Sequence, residues 1–282
     1  MLEDIAAYLI QSGIVVFASL TVLWLVSVLS KDASLVDIFW GFGFFLVGAV
    51  CLYVTEPKYD FIFLLTALPM IWGLRLTAYL AKRNLGHGED KRYVDMRGRA
   101  ESKGMTELAW RMRSLFTIYW GQGLLIVVIS TPIWLGLSSI SGDPTVAPPV
   151  IGAWAVIGTL IWLVGFLFEA ISDNQLAHFL RNNKNFSGPA EQKPVMDQGL
   201  WKYTRHPNYF GNACMWWGIW LIACQTPIGI YTIVSPILMT WLLTKVSGRD
   251  LLERTMNKRK NYQDYITRTS SFFPLPPKQG RD

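Results

Sequence analysis

Charged residues are scarce in this chain of 282 residues, where Asp, Glu, Lys and Arg fill only 16% of the positions. Soluble proteins average about a quarter, so an ordinary soluble domain is excluded. Cysteine and histidine are scarcer still, with three scattered residues of each and no C-x-x-C spacing. This argues against a disulfide framework and against a bound metal. The chain also lacks a Pro/Ser/Gly-rich linker, a low-complexity segment and an internal repeat, so we predict a single domain over residues 1–282.

Apolar sequence is abundant instead. Hydrophobic residues make up 51% of the chain, which includes 13 Trp, and several runs reach the ~20 residues that a helix needs to cross a bilayer. We therefore expect an all-α integral membrane protein. Seven transmembrane helices can be drawn, at about 5–29, 35–55, 60–82, 114–137, 150–172, 208–224 and 228–247, followed by a tail over 248–282.

Basic residues are distributed unevenly among the connections between these spans. Every Lys and Arg except Lys58 and Arg75 falls on one side of the membrane when seven spans are drawn. Because basic connections stay in the cytoplasm, we expect the N-terminus outside and the C-terminus in the cytoplasm of a bacterial inner membrane. The net charge of +6 then follows from topology, and nucleic-acid binding is not expected.

The most unusual stretch is GLWKYTRHPNYFGN, residues 199–212, where a charged connection enters the sixth apolar run. Its Tyr, Arg, His and Asn side chains can hold an anionic ligand, stack on a flat ring and hydrogen-bond to it. Pro207 suits the start of a helix, and Gly211 allows a backbone or a ligand to come close. An ordinary border of positive and aromatic residues accounts for two or three such side chains, but it fits this density less well. We interpret the stretch as a binding site.

Two ionisable residues lie within apolar spans. Asp37, at the start of span two, is either a functional group or an acid that the helix dipole favours. Arg75 shares a helical face with Trp72 and Tyr79 in span three, and it either reaches the membrane border or faces an acid or a phosphate. The segment that follows, NLGHGEDKRYVDMRGR, either covers a site or is a solvated loop.

Two further sets of polar side chains lie at or after the ends of apolar spans. Glu169 and Asp173 are four residues apart at the end of span five and so lie on one helical face. They could hydrogen-bond a ribose or an amide, unless the helix simply ends in water there. After span seven, Lys245, Arg249 and Glu253 have the same spacing, and the F-F-P sequence at 272–274 is expected on the membrane surface.

These patterns together resemble the steroid 5α-reductase family. The resemblance rests on D-x-x-x-x-x-x-L-R from Asp173, on QGLWKYTRHPNYFGN, and on Y-x-x-Y and F-F-P in the tail. The R-H-P-N-Y-x-G core also occurs in sterol C14/C7 reductases and, more loosely, in isoprenylcysteine and phospholipid methyltransferases. The family implies seven membrane helices, NADPH in a cavity that faces the cytoplasm, and a lipid-like enone or steroid that enters from the bilayer. Hydride would pass to the β-carbon while a donor at the ketone oxygen stabilises the enolate.

The resemblance also assigns residues to these roles. The positions that hold the substrate ketone fall on Asp37 and Trp72, with Asp37 as the protonated acid. Lys245, Arg249 and Glu253 fall where the family has Arg, His and Tyr. The residues expected to bind NADPH are Arg75, Arg113, Asp173, Asn174, Arg181, Lys193, Tyr203, Arg205, His206, Asn208, Tyr209, Asn212, Lys245, Arg249 and Glu253.

Two other functions are compatible with the same residues. A methyltransferase that uses S-adenosylmethionine on a lipid or an isoprenylcysteine would share the motif, but its cofactor carries no phosphate for the many basic residues to bind. A non-enzymatic membrane lipid-binding protein would bind no cofactor and would tolerate Asn208→Ala and Arg205→Ala.

Overall fold

The computed structural model describes residues 2–56, 59–140, 149–189, 192–246, 249–257 and 259–278. In this part of the chain the regular secondary structure is helical, apart from an isolated bridge between Thr204 and Ser270. This confirms the predicted all-α class. Six helical segments are long and apolar enough to cross a membrane, namely Leu2–Ser30, Leu35–Val54, Asp60–Asn84, Glu107–Ile129, Ala153–Asn182 and Gly229–Val246.

The chain forms two compact units. The first comprises Met1–Gly152 and Ala223–Ser235, and the second comprises Ala153–Ile222 and Pro236–Asp282. The first unit contains α1 (Leu2–Ser30), α2 (Leu35–Val54), α3 (Asp60–Asn84), α4 (Lys91–Glu101), α5 (Glu107–Ser114), α6 (Trp120–Ile129) and α7 (Thr131–Ser138). The rest of the chain contains α8 (Ala153–Asn182), α9 (Pro207–Ala223), α10 (Val234–Trp241), within which the boundary falls, α11 (Arg249–Met256) and α12 (Lys260–Arg268).

The predicted fourth span is not one uninterrupted helix. It begins earlier, at Glu107, and a π-helical turn at Leu115–Tyr119 joins α5 to α6. The helix then ends at Ser130, and α7 starts again with Pro132 in its first turn. Pro132 has no backbone N–H to donate to the preceding turn, and the apolar run is divided into two helices here, whereas α3 continues through Pro69.

The last two predicted spans also have particular forms. Helix α9 has 17 residues, Pro207–Ala223, and nearly coincides with the predicted span 208–224. The following run is a composite of a 3-10 turn (Gly229–Ile233), α10 and a π-helical turn (Leu242–Val246). The predicted boundaries 228–247 therefore hold, although the segment is a regular α-helix only in its middle.

Close packing of α2 against α3 depends on two glycines. A Cβ atom added at Gly41 would overlap the carbonyl oxygen of Gly73, and one added at Gly73 would overlap that of Gly41. The backbones can approach this closely only without side chains at both positions. The packing holds the start of α2, which carries Asp37, beside the second half of α3.

Helices α8 and α9 meet along a similar line of glycines. Gly158 opposes Gly218 and Gly165 opposes Gly211, and a Cβ atom at any of the four would lie against the partner's carbonyl oxygen. The glycines are seven residues apart in each helix, which is two turns, so they lie on one face. Their order is reversed between the helices, as expected for antiparallel packing.

Candidate functional site

The contact between α8 and α9 becomes polar beyond the last glycine pair. Asn212 Nδ2 donates to Glu169 Oε2 over 3.0 Å, and Asn208 Nδ2 donates to Asp173 Oδ1 over 3.3 Å. Both acids are only 3% exposed. The two acids are four residues apart on α8 and the two amides are four apart on α9, so the pairs lie one helical turn from each other. We call these four residues the amide–acid cluster.

One buried atom of the amide–acid cluster has no hydrogen-bond partner among the residues that the structure describes. Asn212 is 7% exposed, and its Oδ1 accepts no hydrogen bond from any residue that the structure describes. Leaving a buried polar atom unsatisfied costs ~1–3 kcal/mol. Because Nδ2 is committed to Glu169, Oδ1 is the atom to which a hydroxyl or an amide N–H of a ligand could donate.

His206 lies immediately before α9 and is held on two sides. Its ring stacks on Tyr209, with centroids 5.3 Å apart and planes 3° from parallel. Its Nε2 lies 3.0 Å from Glu253 Oε1. Burial lowers the pKa of His206, against the opposing effect of the Glu253 carboxylate. The neutral ring therefore donates from Nε2 to Glu253 at pH 7.

Arg205 is directed at the tail of the chain. Its Nε donates to Glu253 Oε1 over 2.8 Å, and a terminal nitrogen donates to Oε2 over 3.2 Å. The other terminal nitrogen donates to the carbonyl of Thr269 over 2.7 Å. Burial opposes ionisation of Glu253, but hydrogen bonds from His206 and Arg205 prevail and lower its pKa to about 2. Arg205 and Glu253, both expected to contact a cofactor, are thus occupied with each other.

The segment that follows α12 is hydrogen-bonded to the GLWKYTRHPNYFGN stretch. Thr204 Oγ1 donates to the carbonyl of Phe272 over 2.8 Å, and the Leu275 N–H donates to the carbonyl of Tyr203 over 3.0 Å. Phe272 is 7% exposed and its ring contacts that of Phe210 at 6.1 Å between centroids. Phe272 is thus buried against α9, whereas Phe273 is 65% exposed, and the location of the F-F-P end on the membrane surface stays a prediction.

A second polar cluster surrounds Asp37 in the first unit. Tyr93 Oη donates to Asp37 Oδ1 over 2.7 Å, and Arg92 donates to Oδ2, also over 2.7 Å. Both oxygens of Asp37 therefore accept a hydrogen bond from a side-chain donor. Tyr93 is 6% exposed, and burial, reinforced by the charge of Asp37, raises the pKa of Tyr93. Its hydroxyl therefore stays protonated.

Arg92 and Tyr93 are functional candidates that sequence reasoning missed. They lie on α4, within the segment expected to be a cover or a solvated loop. Asp90 begins this helix, because its side chain accepts a hydrogen bond from the Arg92 N–H over 2.8 Å. An Asp just before a run of helix-forming residues is a recognisable N-cap signal, and it could have indicated the helix.

The other residues predicted near Asp37 lie on α3. Trp72 is fully buried, and its ring contacts that of Phe44 at 5.3 Å between centroids. The structure thus places it in the packed contact between α2 and α3. Arg75, one turn further along, is half-buried.

The remaining residues predicted to bind a cofactor are paired, half-buried or exposed. Lys245 and Arg249 form ion pairs with Asp250, at 3.5 Å and 2.8 Å, whereas Glu253 is paired with Arg205. Tyr203 is half-buried, with the Lys202 ammonium 4.8 Å from its ring centroid. Four side chains are exposed, namely those of Arg113, Asn174, Arg181 and Lys193.

The helices are those of an all-α, multi-pass membrane protein. Several of its ionisable side chains are buried. The chain belongs to the family described as "Protein of unknown function (DUF1295)", which matches residues 23–269. An uncharacterized protein of Schizosaccharomyces pombe is 24% identical over 277 residues, which cover 90% of this chain and 76% of that protein. No solved structure matches the chain.

Proposed function

We propose that this protein is an NADPH-dependent membrane oxidoreductase of the steroid 5α-reductase type. It would reduce the C4–C5 double bond of a 3-keto-4-ene steroid, or the corresponding bond of a similar lipid enone. The observation that carries the proposal is the amide–acid cluster. Asn208 and Asn212, which the resemblance assigns to the cofactor, meet Asp173 and Glu169 there. One buried acceptor, Asn212 Oδ1, receives no hydrogen bond from the described part of the chain.

The donors and acceptors present suit NADPH. Asn212 Oδ1 can accept a hydrogen bond from a carboxamide NH₂ or from a ribose hydroxyl, and both groups occur in this cofactor. The exposed guanidinium of Arg181 and ammonium of Lys193 suit its phosphates, whereas Arg205 is engaged with Glu253. When bound, NADPH supplies the hydride.

The cluster of Asp37, Arg92 and Tyr93 suits the second part of the reaction, in which charge develops on the substrate ketone. As the β-carbon of an enone is reduced, negative charge develops on the ketone oxygen, and a positioned donor stabilises it. Tyr93 is a buried, protonated hydroxyl that Asp37 holds in place at 2.7 Å. We propose that the single O–H of Tyr93, which donates to Asp37 in this structure, turns to the ketone oxygen when the substrate binds, and that Asp37 holds the hydroxyl in position until then. This changes the expected division of roles, in which Asp37 itself is the acid and Trp72 assists.

The proposal includes the topology. Helix α9, with 17 residues, has about the minimum length for crossing a bilayer and would make a seventh crossing. The N-terminus would then lie outside and the C-terminus in the cytoplasm of a bacterial inner membrane, with the basic connections on the cytoplasmic side. A reporter fused after residue 56 should behave as external and one fused after residue 278 as cytoplasmic. The same response at both positions would contradict the odd number of crossings.

The activity is tested with detergent-purified protein. We expect tighter binding of NADPH than of NADH or S-adenosylmethionine, and NADPH oxidation that depends on a 3-keto-4-ene steroid. Asn212→Asp places a second acid beside Glu169 and should weaken NADPH binding at least about tenfold. Asn261→Asp, at an exposed position of α12, is the matched control. Binding of S-adenosylmethionine in place of NADPH would indicate the methyltransferase, and binding of neither would indicate a lipid-binding protein.

A further inference from the structure

A small cavity lies in the first unit where the end of α1, helix α4 and the start of α5 meet. Its volume is about 50 Å³. None of its residues has a role in the proposed reaction. Its lining contains three basic residues and one acid, and it includes Ser27, Lys31, Arg97, Glu107, Trp110 and Arg111.

The cations of this cavity are incompletely neutralised. Arg111 pairs with Glu107 at 2.9 Å and Arg97 pairs with Glu89 at 2.7 Å. Lys31 forms no ion pair with the residues that the structure describes, and its charge is therefore unmatched. In addition, the buried Nε of Arg97 donates to none of them. A cavity with surplus positive charge and an unused N–H donor suits an anion.

Lys31 has an unusual backbone for a lysine. Its φ is 56°, in the left-handed region, at the residue that follows the end of α1. Glycine is the usual residue at such a helix end, since any Cβ atom is strained there. Lys31 therefore occupies a position that glycine would adopt with less strain, and it also lines the cavity.

The cavity lies at the ends of two helices that are long and apolar enough to cross a membrane. Helix α1 ends at Ser30, and the candidate span Glu107–Ile129 begins at Glu107. Both helices carry apolar side chains exposed to their surroundings near these ends, with Leu29 84% and Leu108 70% exposed. The buried indole of Trp110 is also typical of a membrane border. An anionic group that occurs at such a border is the phosphate of a phospholipid.

We propose that this cavity binds a phosphate group, supplied by an anionic phospholipid of the adjoining leaflet. A phosphodiester offers oxygen acceptors to Lys31 and Arg97, and basic pockets between membrane helices recognise headgroups in this way. A free phosphate ion offers the same chemistry. Only a lipid also brings acyl chains to the apolar faces that carry Leu29 and Leu108. The proposal is independent of the proposed reaction, and its test requires no activity.

The test compares ligands and two variants of the delipidated, full-length protein. Native mass spectrometry measures binding of phosphatidylglycerol and of diacylglycerol with the same chains, and thermal unfolding is followed with inorganic phosphate. We expect phosphatidylglycerol to bind in preference to diacylglycerol. Lys31→Gly should weaken that binding about fivefold, the effect of one basic residue at an anionic surface. Lys103→Gly, at an exposed site, should not.

The choice of glycine keeps the test interpretable. Because Lys31→Gly relieves the left-handed strain, the variant without lipid should unfold at the same temperature as the wild type or higher. Stabilisation by inorganic phosphate that Lys31→Gly abolishes would assign the site to phosphate as such, without selection for a lipid. Equal binding of diacylglycerol and phosphatidylglycerol, or undiminished binding by Lys31→Gly, would overturn the proposal.

Discussion

Arg205 and Glu253 are joined by two hydrogen bonds, of 2.8 Å and 3.2 Å, although they are 48 residues apart in the chain. Their side chains are only 9% and 15% exposed. The same carboxylate accepts a hydrogen bond from His206. A single acid on α11 therefore sets the orientation of two consecutive residues of the GLWKYTRHPNYFGN stretch, and the shape of that stretch depends on the tail.

Replacing this acid should loosen the tail. Glu253→Gln keeps the shape of the side chain but leaves the buried charge of Arg205 without its partner, which should lower the free energy of unfolding by about 3 kcal/mol. Thermal unfolding measures the loss, and limited proteolysis should cleave residues 249–278 faster than in the wild type. The control is Glu101→Gln, whose side chain is exposed. Equal protease resistance of Glu253→Gln and the wild type would show that the ion pair does not hold the tail.

The protonation of His206 should make the stability of the protein depend on pH. Its pKa lies below the ordinary 6.5 in the folded protein, so the unfolded chain takes up the proton first. The contribution of the neutral ring is complete above pH 6.5 and is lost as the pH falls below that value. The pKa of Glu253, lowered from 4.5 to about 2, affects stability only below about pH 4.5.

A scan from pH 8 to pH 5 therefore separates the two groups. We expect the unfolding temperature of the wild type to fall across this range, and that of His206→Gln to fall less, because the glutamine amide can still donate to Glu253 but does not titrate. An identical slope in both proteins would assign the pH dependence to other groups.

Tyr93 and Asp37 should both be required for turnover. Tyr93→Phe removes the hydroxyl proposed to turn to the ketone oxygen, and Asp37→Asn replaces the acceptor that holds this hydroxyl before the substrate binds. Each should lower kcat about a hundredfold or more, the range of a lost acid catalyst, and leave NADPH binding largely intact. Tyr53→Phe, at a position 84% exposed, is the control. Wild-type turnover by Tyr93→Phe would return the donor role to Asp37, and wild-type turnover by Asp37→Asn would remove Asp37 from the mechanism.

The glycine line between α8 and α9 should tolerate no side chain. Gly211→Ala brings a methyl group into the Gly165 carbonyl oxygen, and the two helices must separate to admit it. We expect a loss of about 1–3 kcal/mol in stability. At Gly98 on α4 nothing lies within 4 Å of an added Cβ, so Gly98→Ala should be neutral or stabilising by up to about 1 kcal/mol. Equal unfolding temperatures of the two variants would contradict this account of the packing.

The helices were largely predictable because apolar runs and helical spacing are local properties of a sequence. The four-residue spacing of Glu169 and Asp173 predicted that they share a face of α8, and the structure places both of them opposite the two asparagines of the motif. The bounds of the fourth span were less predictable, since the apolar run continues through Pro132, whereas the helix that could cross the membrane covers Glu107–Ile129 and a separate helix follows it.

Contacts between distant segments were not predictable in this way. Arg205 meets a carbonyl 64 residues later, and no local pattern indicates that partner. All polar residues of the GLWKYTRHPNYFGN stretch were therefore interpreted as ligand-binding residues, although Arg205 binds the tail of the chain. Tyr93 was missed for a related reason, since only its hydrogen bond to Asp37, 56 residues earlier, makes it a functional candidate.

The attachment of the tail to the motif has a consequence for how the protein is made. Residues 249–278, which hold Arg205 and cover Thr204, are translated after every helix that could cross the membrane. During synthesis the chain can therefore be fully inserted while the GLWKYTRHPNYFGN stretch is still unsupported. A nascent chain halted after α10 would have all of its membrane helices and no finished site, and membrane insertion alone would be a poor measure of correct assembly.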